Sequence, residues 1–247
     1  MTKIMVCVPT LDKVDASFFT SVLGMRYDGG NQVSFNVLSN SLVYDARNQF
    51  ALAAISDKFD YMVSFDSDMV LEPDTLKRLY EGIEETGADL LTGIYFKRRL
   101  PTSPVILKTL DWYEDDLLGA QDISDVYEDY PRNSVFEIAG CGMGCAIMKV
   151  DMLEQIAVAY RMGPFTPMPR LSEDYSFCLR ALKLGKKLMC DSRIKPGHAG
   201  LKIYREEDWL KQQRRYEEVR YEGVELGADG MPIPAGGTKD EGGTKGV

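Results

Sequence analysis

Two carboxylates one residue apart, Asp66 and Asp68 with Ser67 between them, follow directly on the apolar run Tyr61-Met62-Val63 and Phe65. The run has the aromatic and β-branched character of a buried strand, so the sequence predicts two acids at the end of a central strand. Acids there are costly unless a charge compensates them. A hard divalent cation is suited to that task. It takes oxygen ligands, and a magnesium-type ion is usually held by one or two carboxylates together with substrate phosphates. Asp is also an ordinary turn residue after a strand, so the pair alone does not decide its role.

Two further places could do chemistry. Glu173 and Asp174 follow Ser172 at a predicted helix start. Ser172 is a ready N-cap, and acids in the first turn complement the helix dipole. Read functionally, one of the two is a general base. A helix N-terminus favours its ionised form at neutral pH, ready to take a proton from a hydroxyl. His198 is the only histidine and lies among Gly197 and Gly200, which would let its ring approach a metal. Imidazole is a poor ligand for magnesium but an acceptable one for manganese.

The elements that must position these residues alternate. Residues 3–8 read as a buried strand that stops at Pro9-Thr10, because proline cannot donate to a ladder. A helix capped at Asp15 carries Phe18, Phe19, Val22 and Leu23. Residues 33–38 alternate as a second strand, ending at Ser39-Asn40-Ser41. A second helix runs from about residue 42 to 55, then the strand at 61–65, a third helix over 76–86 ended by Gly87, and a fourth strand over 89–96. Strand and helix in turn predict an α/β fold with a mostly parallel sheet, helices on both faces and a single domain. Ligands of such sheets gather beyond the carboxyl ends of the strands, where residues 9–10, 39–40 and 66–68 all fall.

The rest is less regular. Lys97-Arg98-Arg99 is a basic cluster that reads as a solvated turn, with phosphate contact the alternative. Residues 105–107 and 135–138 look like strands flanking an acidic surface hairpin or excursion. Gly140, Gly142 and Gly144 permit positive φ or close approach by a ligand, without phosphate-loop spacing. Helices are predicted over 151–160 and from Ser172 to Leu184, and a short strand over 186–191. The domain plan is a catalytic domain over 1–204, a charged helical arm over 205–226 and a flexible tail over 227–247.

Composition narrows the class. The 247 residues carry a formal charge of −9, so no general pull toward nucleic acid or anionic membrane is expected, although a local basic groove remains compatible. No apolar run reaches the roughly 20 residues that span a bilayer, and the N-terminus lacks a signal-peptide pattern. The five cysteines form no CxxC pair and read as reduced core thiols of a cytoplasmic protein.

Together these residues resemble a nucleotide-sugar glycosyltransferase of the GT-A fold, family 2 type. The resemblance is carried by Pro9-Thr10, Ala46-Arg47-Asn48, the DXD motif Asp66-Ser67-Asp68, residues 140–144, the run Ser172-Glu173-Asp174-Tyr175-Ser176-Phe177-Cys178-Leu179-Arg180, and Pro196-Gly197-His198, in order over roughly the first 200 residues. It implies a Rossmann-like GT-A sheet and a donor site containing Thr10, Arg47, Asp66, Ser67 and Asp68. It implies a Mn2+ or Mg2+ ion held by Asp66, Asp68 and His198. Asp174 would be the base for inverting transfer and Glu173 its neighbour. Thr10 and the strand end at Ser39-Asn40 would lie near the nucleobase and ribose. A UDP-sugar is the favoured donor and a GDP-sugar the next. The acceptor is a hydroxyl on a glycan, small molecule, protein or modified nucleic acid. The acid that many relatives carry after the second strand is absent, as are the Q-x-x-R-W motif and the membrane helices of processive synthases. A sugar-phosphate nucleotidyltransferase and a catalytically inactive GT-A binding or scaffold module are the competing readings.

Overall fold

The computed structural model describes residues 1–26, 30–115, 119–200 and 202–221. In chain order the elements are β1 (Lys3–Pro9), α1 (Ala16–Leu23), β2 (Gln32–Leu38), α2 (Val43–Ser56), β3 (Tyr61–Phe65), β4 (Met69–Val70), α3 (Thr75–Thr86) and β5 (Leu90–Gly93). There follow β6 (Ile106–Asp115), β7 (Gly119–Val126), β8 (Val135–Glu137), β9 (Gly140–Cys141), β10 (Cys145–Lys149), α4 (Val150–Tyr160), α5 (Glu173–Lys183), β11 (Leu188–Asp191), β12 (Gly197–Ala199), β13 (Ile203–Tyr204) and α6 (Glu206–Tyr221). One compact unit covers Met1–Glu206, and the described residues after it, 207–221, belong to a second. The tail expected over 227–247 lies outside the described residues.

A seven-stranded sheet in the order β2-β1-β3-β10-β5-β11-β8 forms the centre. β1 pairs in parallel with both β2 and β3, and β5 with β11. β10 runs antiparallel between β3 and β5, and β8 runs antiparallel to β11. The sheet is therefore mostly parallel, as the alternation of elements predicts, with one reversed strand at its middle. The reversal is possible because β10 arrives from the β6–β9 excursion rather than through a crossover helix. Period-two alternation splits each strand between two cores. Ile4, Val6, Val8, Val63, Phe65, Leu91 and Ile147 pack with Phe18 of α1 and Leu76, Leu79 and Ile83 of α3. The intervening residues face the side where α2 packs on β1 and β3 and α4 packs on α2. That side is filled by Ala46, Phe50, Ala51, Ala54, Met152, Leu153 and Ile156.

The order of connections opens the cleft. From β1 the chain goes to β2 on one side and then returns to β3 on the other. The segments after β1 and β3 therefore diverge beyond their carboxyl ends, which is where such sheets bind ligands. A second, small sheet, β13-β12-β4, crosses this opening. Its register places His198 opposite Met69, and the Ala199 amide donates to the Asp68 carbonyl at 2.8 Å.

The hairpin and the reduced core cysteines are as the sequence predicts, and other details differ from it. The fourth strand covers only Leu90–Gly93, and the acidic excursion is a hairpin of β6 and β7 whose strands reach well into the acidic segment. All five cysteines are buried free thiols. Gly142 and Gly144 do not have positive φ. The close approach they allow is to Tyr95 rather than to a ligand: a Cβ on Gly142 would lie 2.2 Å from the Tyr95 hydroxyl and 2.8 Å from Val105 Cγ1. Gly142→Ala should therefore force Tyr95 aside and destabilise the protein by about 1–3 kcal/mol, as overpacking in cores does. Urea denaturation measures this, and a wild-type midpoint would show that Tyr95 yields freely.

Candidate functional site

The cleft has a volume of about 730 Å³ and is lined by residues 9–16, Val43, Arg47, Asp66, Ser67, Asp68, Arg98, Glu173, Asp174 and His198. All the candidate site residues are in this lining: Thr10, Arg47, Asp66, Ser67, Asp68, Glu173, Asp174 and His198. They come from the ends of β1 and β3, the first turns of α2 and α5, and β12. Ser39 and Asn40 are not in the lining. The Asn40 amide instead donates to the Leu11 carbonyl at 2.7 Å, and residues 11–13 face the cleft in their place.

Arg47 organises the acids. Its side chain is 2 % exposed and donates from Nη2 to Asp66 Oδ1 at 2.8 Å and from Nη1 to Glu173 Oε1 at 2.7 Å. The same Nη1 makes a close ion pair with Asp174. Burial would lower the pKa of this guanidinium, but Asp174, Asp66 and Glu173 together raise it, so it stays charged. The resemblance places Arg47 near the nucleotide; in the structure its charge is already committed to three carboxylates.

Asp174 sits in the first turn of α5, which Ser172 caps by accepting from the Tyr175 amide. Its other oxygen, Oδ2, accepts from the Met143 amide at 3.3 Å. Burial pushes its pKa up to about 7, with Arg47 opposing and Glu173 and Asp66 adding to the rise. The expected effect of the helix terminus, an acid fully ionised at neutral pH, is thus outweighed by burial and two like charges. For proton transfer near neutral pH, a carboxylate poised at about 7 is well matched.

Asp68 has different neighbours. Its Oδ2 pairs closely with Arg98, and its Oδ1 is 3.5 Å from His198 Nε2. Burial works against its ionisation, but the hydrogen bond and charge of His198 and the charge of Arg98 outweigh it and hold the pKa below the ordinary value. His198 Nδ1 lies 2.9 Å from the Phe96 carbonyl. A carbonyl only accepts, so Nδ1 carries the proton and Nε2 faces Asp68. Tyr95 packs edge-on against the imidazole with ring centres 5.6 Å apart, which fixes its plane. A carboxylate beside an imidazole anchored through its far nitrogen is a donor pair that fits a divalent metal. Among the described residues, no group of three or more His, Cys, Asp or Glu side chains is placed to hold a metal unaided. Two protein ligands completed by substrate phosphates match the habit of magnesium-type ions.

Two site residues were not singled out from the sequence. Arg98 belongs to a basic cluster that reads as a solvated turn, with phosphate contact the alternative; it stays exposed yet reaches into the cleft, where the segment after β5 is folded back by the Phe96–Pro104 bridge. Tyr95 is buried, accepts from the Gly144 amide at 3.0 Å and stands against both Gly142 and His198. A tyrosine at a strand end carries no signal of its own, and only the fold brings the glycines to it.

The sequence model of a family described as Glycosyl transferase family 2 matches residues 34–157, half of the chain. The chain belongs to glycosyl transferase family 2. Its sheet and helices form the family's GT-A fold. The matched span includes Arg47, the DXD motif and Arg98, whereas Thr10, Glu173, Asp174 and His198 lie outside it. Among solved structures, the chain is similar to the crystal structure of A197 from STIV, with a TM-score of 0.55 and 20 % identity over 81 % of this chain and 86 % of that one. At that identity the likeness is one of fold. No curated protein matches the chain. Family membership supports a role in glycosyl transfer. Among the described residues, no helix is long and apolar enough to cross a membrane.

The ion-pair cluster predicts a stability effect with a pH signature. Arg47→Met would leave Asp66, Glu173 and Asp174 facing one another without a counter-charge. Breaking a buried pair in this way costs about 3–5 kcal/mol, and the low end applies because the three acids keep 19–30 % exposure. Their repulsion needs ionised acids. Arg47 opposes the rise that puts Asp174 at about 7, so without it Asp174 takes up its proton at a higher pH; the loss should therefore be larger at pH 8 than at pH 5.5, where Asp174 holds its proton with or without the guanidinium. Urea denaturation at pH 8 and pH 5.5 checks this, and an equal loss at both pH values would count against it.

Proposed function

We propose that the protein is a metal-dependent glycosyltransferase that moves a sugar from a nucleotide-diphosphate donor to an acceptor hydroxyl with inversion. The observation that carries this reading is the meeting, in one cleft, of the DXD acids from β3 and Asp174 from α5 through a shared Arg47. A family 2 fold with both features has a donor side and a base side within reach of one bound molecule. The cleft volume of about 730 Å³ lies in the range of small-molecule sites, roughly 300–1,000 Å³.

In this reading residues 10–13 border the nucleoside, a UDP-sugar being the favoured donor and a GDP-sugar the next. Asp68 and His198 would hold Mn2+ or Mg2+, with Asp66 beside them and Ser67 lining the donor site. A divalent cation bound there supplies positive charge for the diphosphate as the sugar leaves. Asp174 takes the proton from the acceptor hydroxyl while that oxygen bonds to the anomeric carbon and the bond to the diphosphate breaks. Glu173 shares Arg47 with Asp174 and keeps it oriented toward the acceptor.

Calorimetric titration of UDP and GDP, with Mn2+ and with EDTA, tests the donor site. Metal-dependent binding of one nucleotide is expected; no binding of either under any condition would count against a working donor site. Asp68→Ala should abolish the metal-dependent part of binding. Asp174→Asn should keep nucleotide affinity and reduce transfer by at least about 100-fold, the low end of general-base contributions. Transfer at the wild-type rate in Asp174→Asn would rule out its role as base.

The pH profile gives a separate check. The basic form of Asp174 is the active one, so transfer by the wild type should rise with pH and level off. The added charge of a bound cation draws the midpoint to or below about 7. A rate flat from pH 5 to pH 9 would be inconsistent with this assignment.

A further inference from the structure

Arg98 is the cleft cation that the proposed reaction leaves without a task. The lining holds six carboxylates, those of Asp12, Asp15, Asp66, Asp68, Glu173 and Asp174, against the fixed cations Lys13, Arg47 and Arg98. Arg47 is buried and committed to three of the acids. Arg98 differs from it in every respect. Its side chain is 58 % exposed, and in the cleft it pairs with Asp68 Oδ2. That carboxylate is the one whose other oxygen faces His198, at 3.5 Å.

The backbone beneath Arg98 is held. Phe96 and Pro104 form a bridge, the Lys97 amide donates to the Ser103 carbonyl at 3.0 Å, and Thr102 Oγ1 donates to the Lys97 carbonyl at 2.7 Å. The carbonyl of Phe96, two residues before Arg98, accepts a hydrogen bond from His198 Nδ1. One short segment therefore anchors the imidazole beside Asp68 and also places a guanidinium on Asp68. A long, exposed side chain on a fixed base can leave one anion for another nearby without moving the fold.

We infer that Arg98 is a diphosphate-binding residue of the donor site that shares Asp68 with the divalent cation, so that engaging the cation at Asp68 turns the guanidinium toward the donor's phosphates. This rests on the donor site proposed above. The chemistry favours the exchange. A guanidinium and a divalent cation compete for the same carboxylate oxygens, and a planar five-donor fork is matched to phosphate as well as to carboxylate. The displaced positive charge then lies where a di-anionic group must enter an acid-lined cleft.

The inference predicts opposite changes in two affinities on removal of one side chain. Arg98→Ala should weaken UDP or GDP binding in the presence of Mn2+ roughly 10- to 100-fold, the range for hydrogen bonds to a charged group. It should leave binding of the phosphate-free nucleoside unchanged. It should also tighten binding of Mn2+ alone several-fold, because the competitor at Asp68 is gone. Arg98→Lys should retain part of the diphosphate affinity. Calorimetry with each nucleotide and its nucleoside, electron paramagnetic resonance titration of Mn2+ alone, and a thermal melt of each variant provide the readings. If the wild type binds neither nucleotide, the donor site itself falls, and this inference with it. If the wild type binds and Arg98→Ala binds equally well, only the role of Arg98 falls. An equal loss for the nucleoside, or Mn2+ affinity unchanged or weakened, would also overturn it, because a merely structural arginine gives those results.

Discussion

Arg47 donates to Asp66, Glu173 and Asp174 from a position that is almost wholly buried, and the arrangement of the cleft depends on that contact. Two like charges about 4 Å apart repel by roughly 4 kcal/mol at the effective dielectric of a protein surface. Three acids converging from β3 and α5 would hold the cleft open or protonate without a counter-charge. The guanidinium suits the place because its planar fork presents several donors to different carboxylates at once. α2 brings it there. Ala46, Ala51 and Ala54 let the helix lie close on β1 and β3, so that its first turns stand level with the end of β3. Asp174, 127 positions from Arg47 in sequence, is thereby tied to the DXD motif through one side chain.

The Asp68 side of the cleft is built by register rather than by charge. The three strands β13, β12 and β4 are short, yet their pairing fixes which residue of the 197–199 segment faces Asp68, since a slip of one residue would turn His198 to the other face. Tyr95 adds a second constraint. Its ring limits the imidazole, and its hydroxyl fills the space that Gly142 and Gly144 leave open. The reversed strand β10 begins immediately after Gly144, and the Gly144 carbonyl accepts from the Asp66 amide at 3.1 Å. The glycine segment is therefore structural support for the DXD turn and for the histidine together.

Much of this was legible in the sequence, for identifiable reasons. The strand-helix alternation, the acids after a continuous apolar strand, and the Ser172 cap are local patterns with direct physical meaning, and each has its expected place in the structure. Residues that line the cleft could be named as candidates because chemistry-bearing types sat at strand ends and helix starts, where the fold gathers them. What was not legible depends on distant partners. Lys97, Arg98 and Arg99 read alike in sequence; only the folded-back segment after β5 turns Arg98 into the cleft. Ser39-Asn40 lies at a strand end as expected but outside the lining, because residues 11–13 fold across in front of it. The raised pKa of Asp174 requires the burial and the neighbouring Asp66 that the tertiary structure supplies, and a helix-start pattern alone points the other way.

The charge of the cleft bears on what can enter it. The chain is acidic overall, at −9, and the lining itself holds six carboxylates and three fixed cations. A bare polyanion approaching such a surface is repelled, and one of the three cations is spent on holding acids together. In the proposed reading an anionic donor would enter together with added positive charge, held where carboxylate and imidazole already face each other, at Asp68 and His198. The acids that look unfavourable for binding a phosphate compound would then act as a filter. They would discourage anions that do not share a cation with the protein, while Glu173 and Asp66 add to the burial that raises the pKa of Asp174 at the other end of the Arg47 bridge.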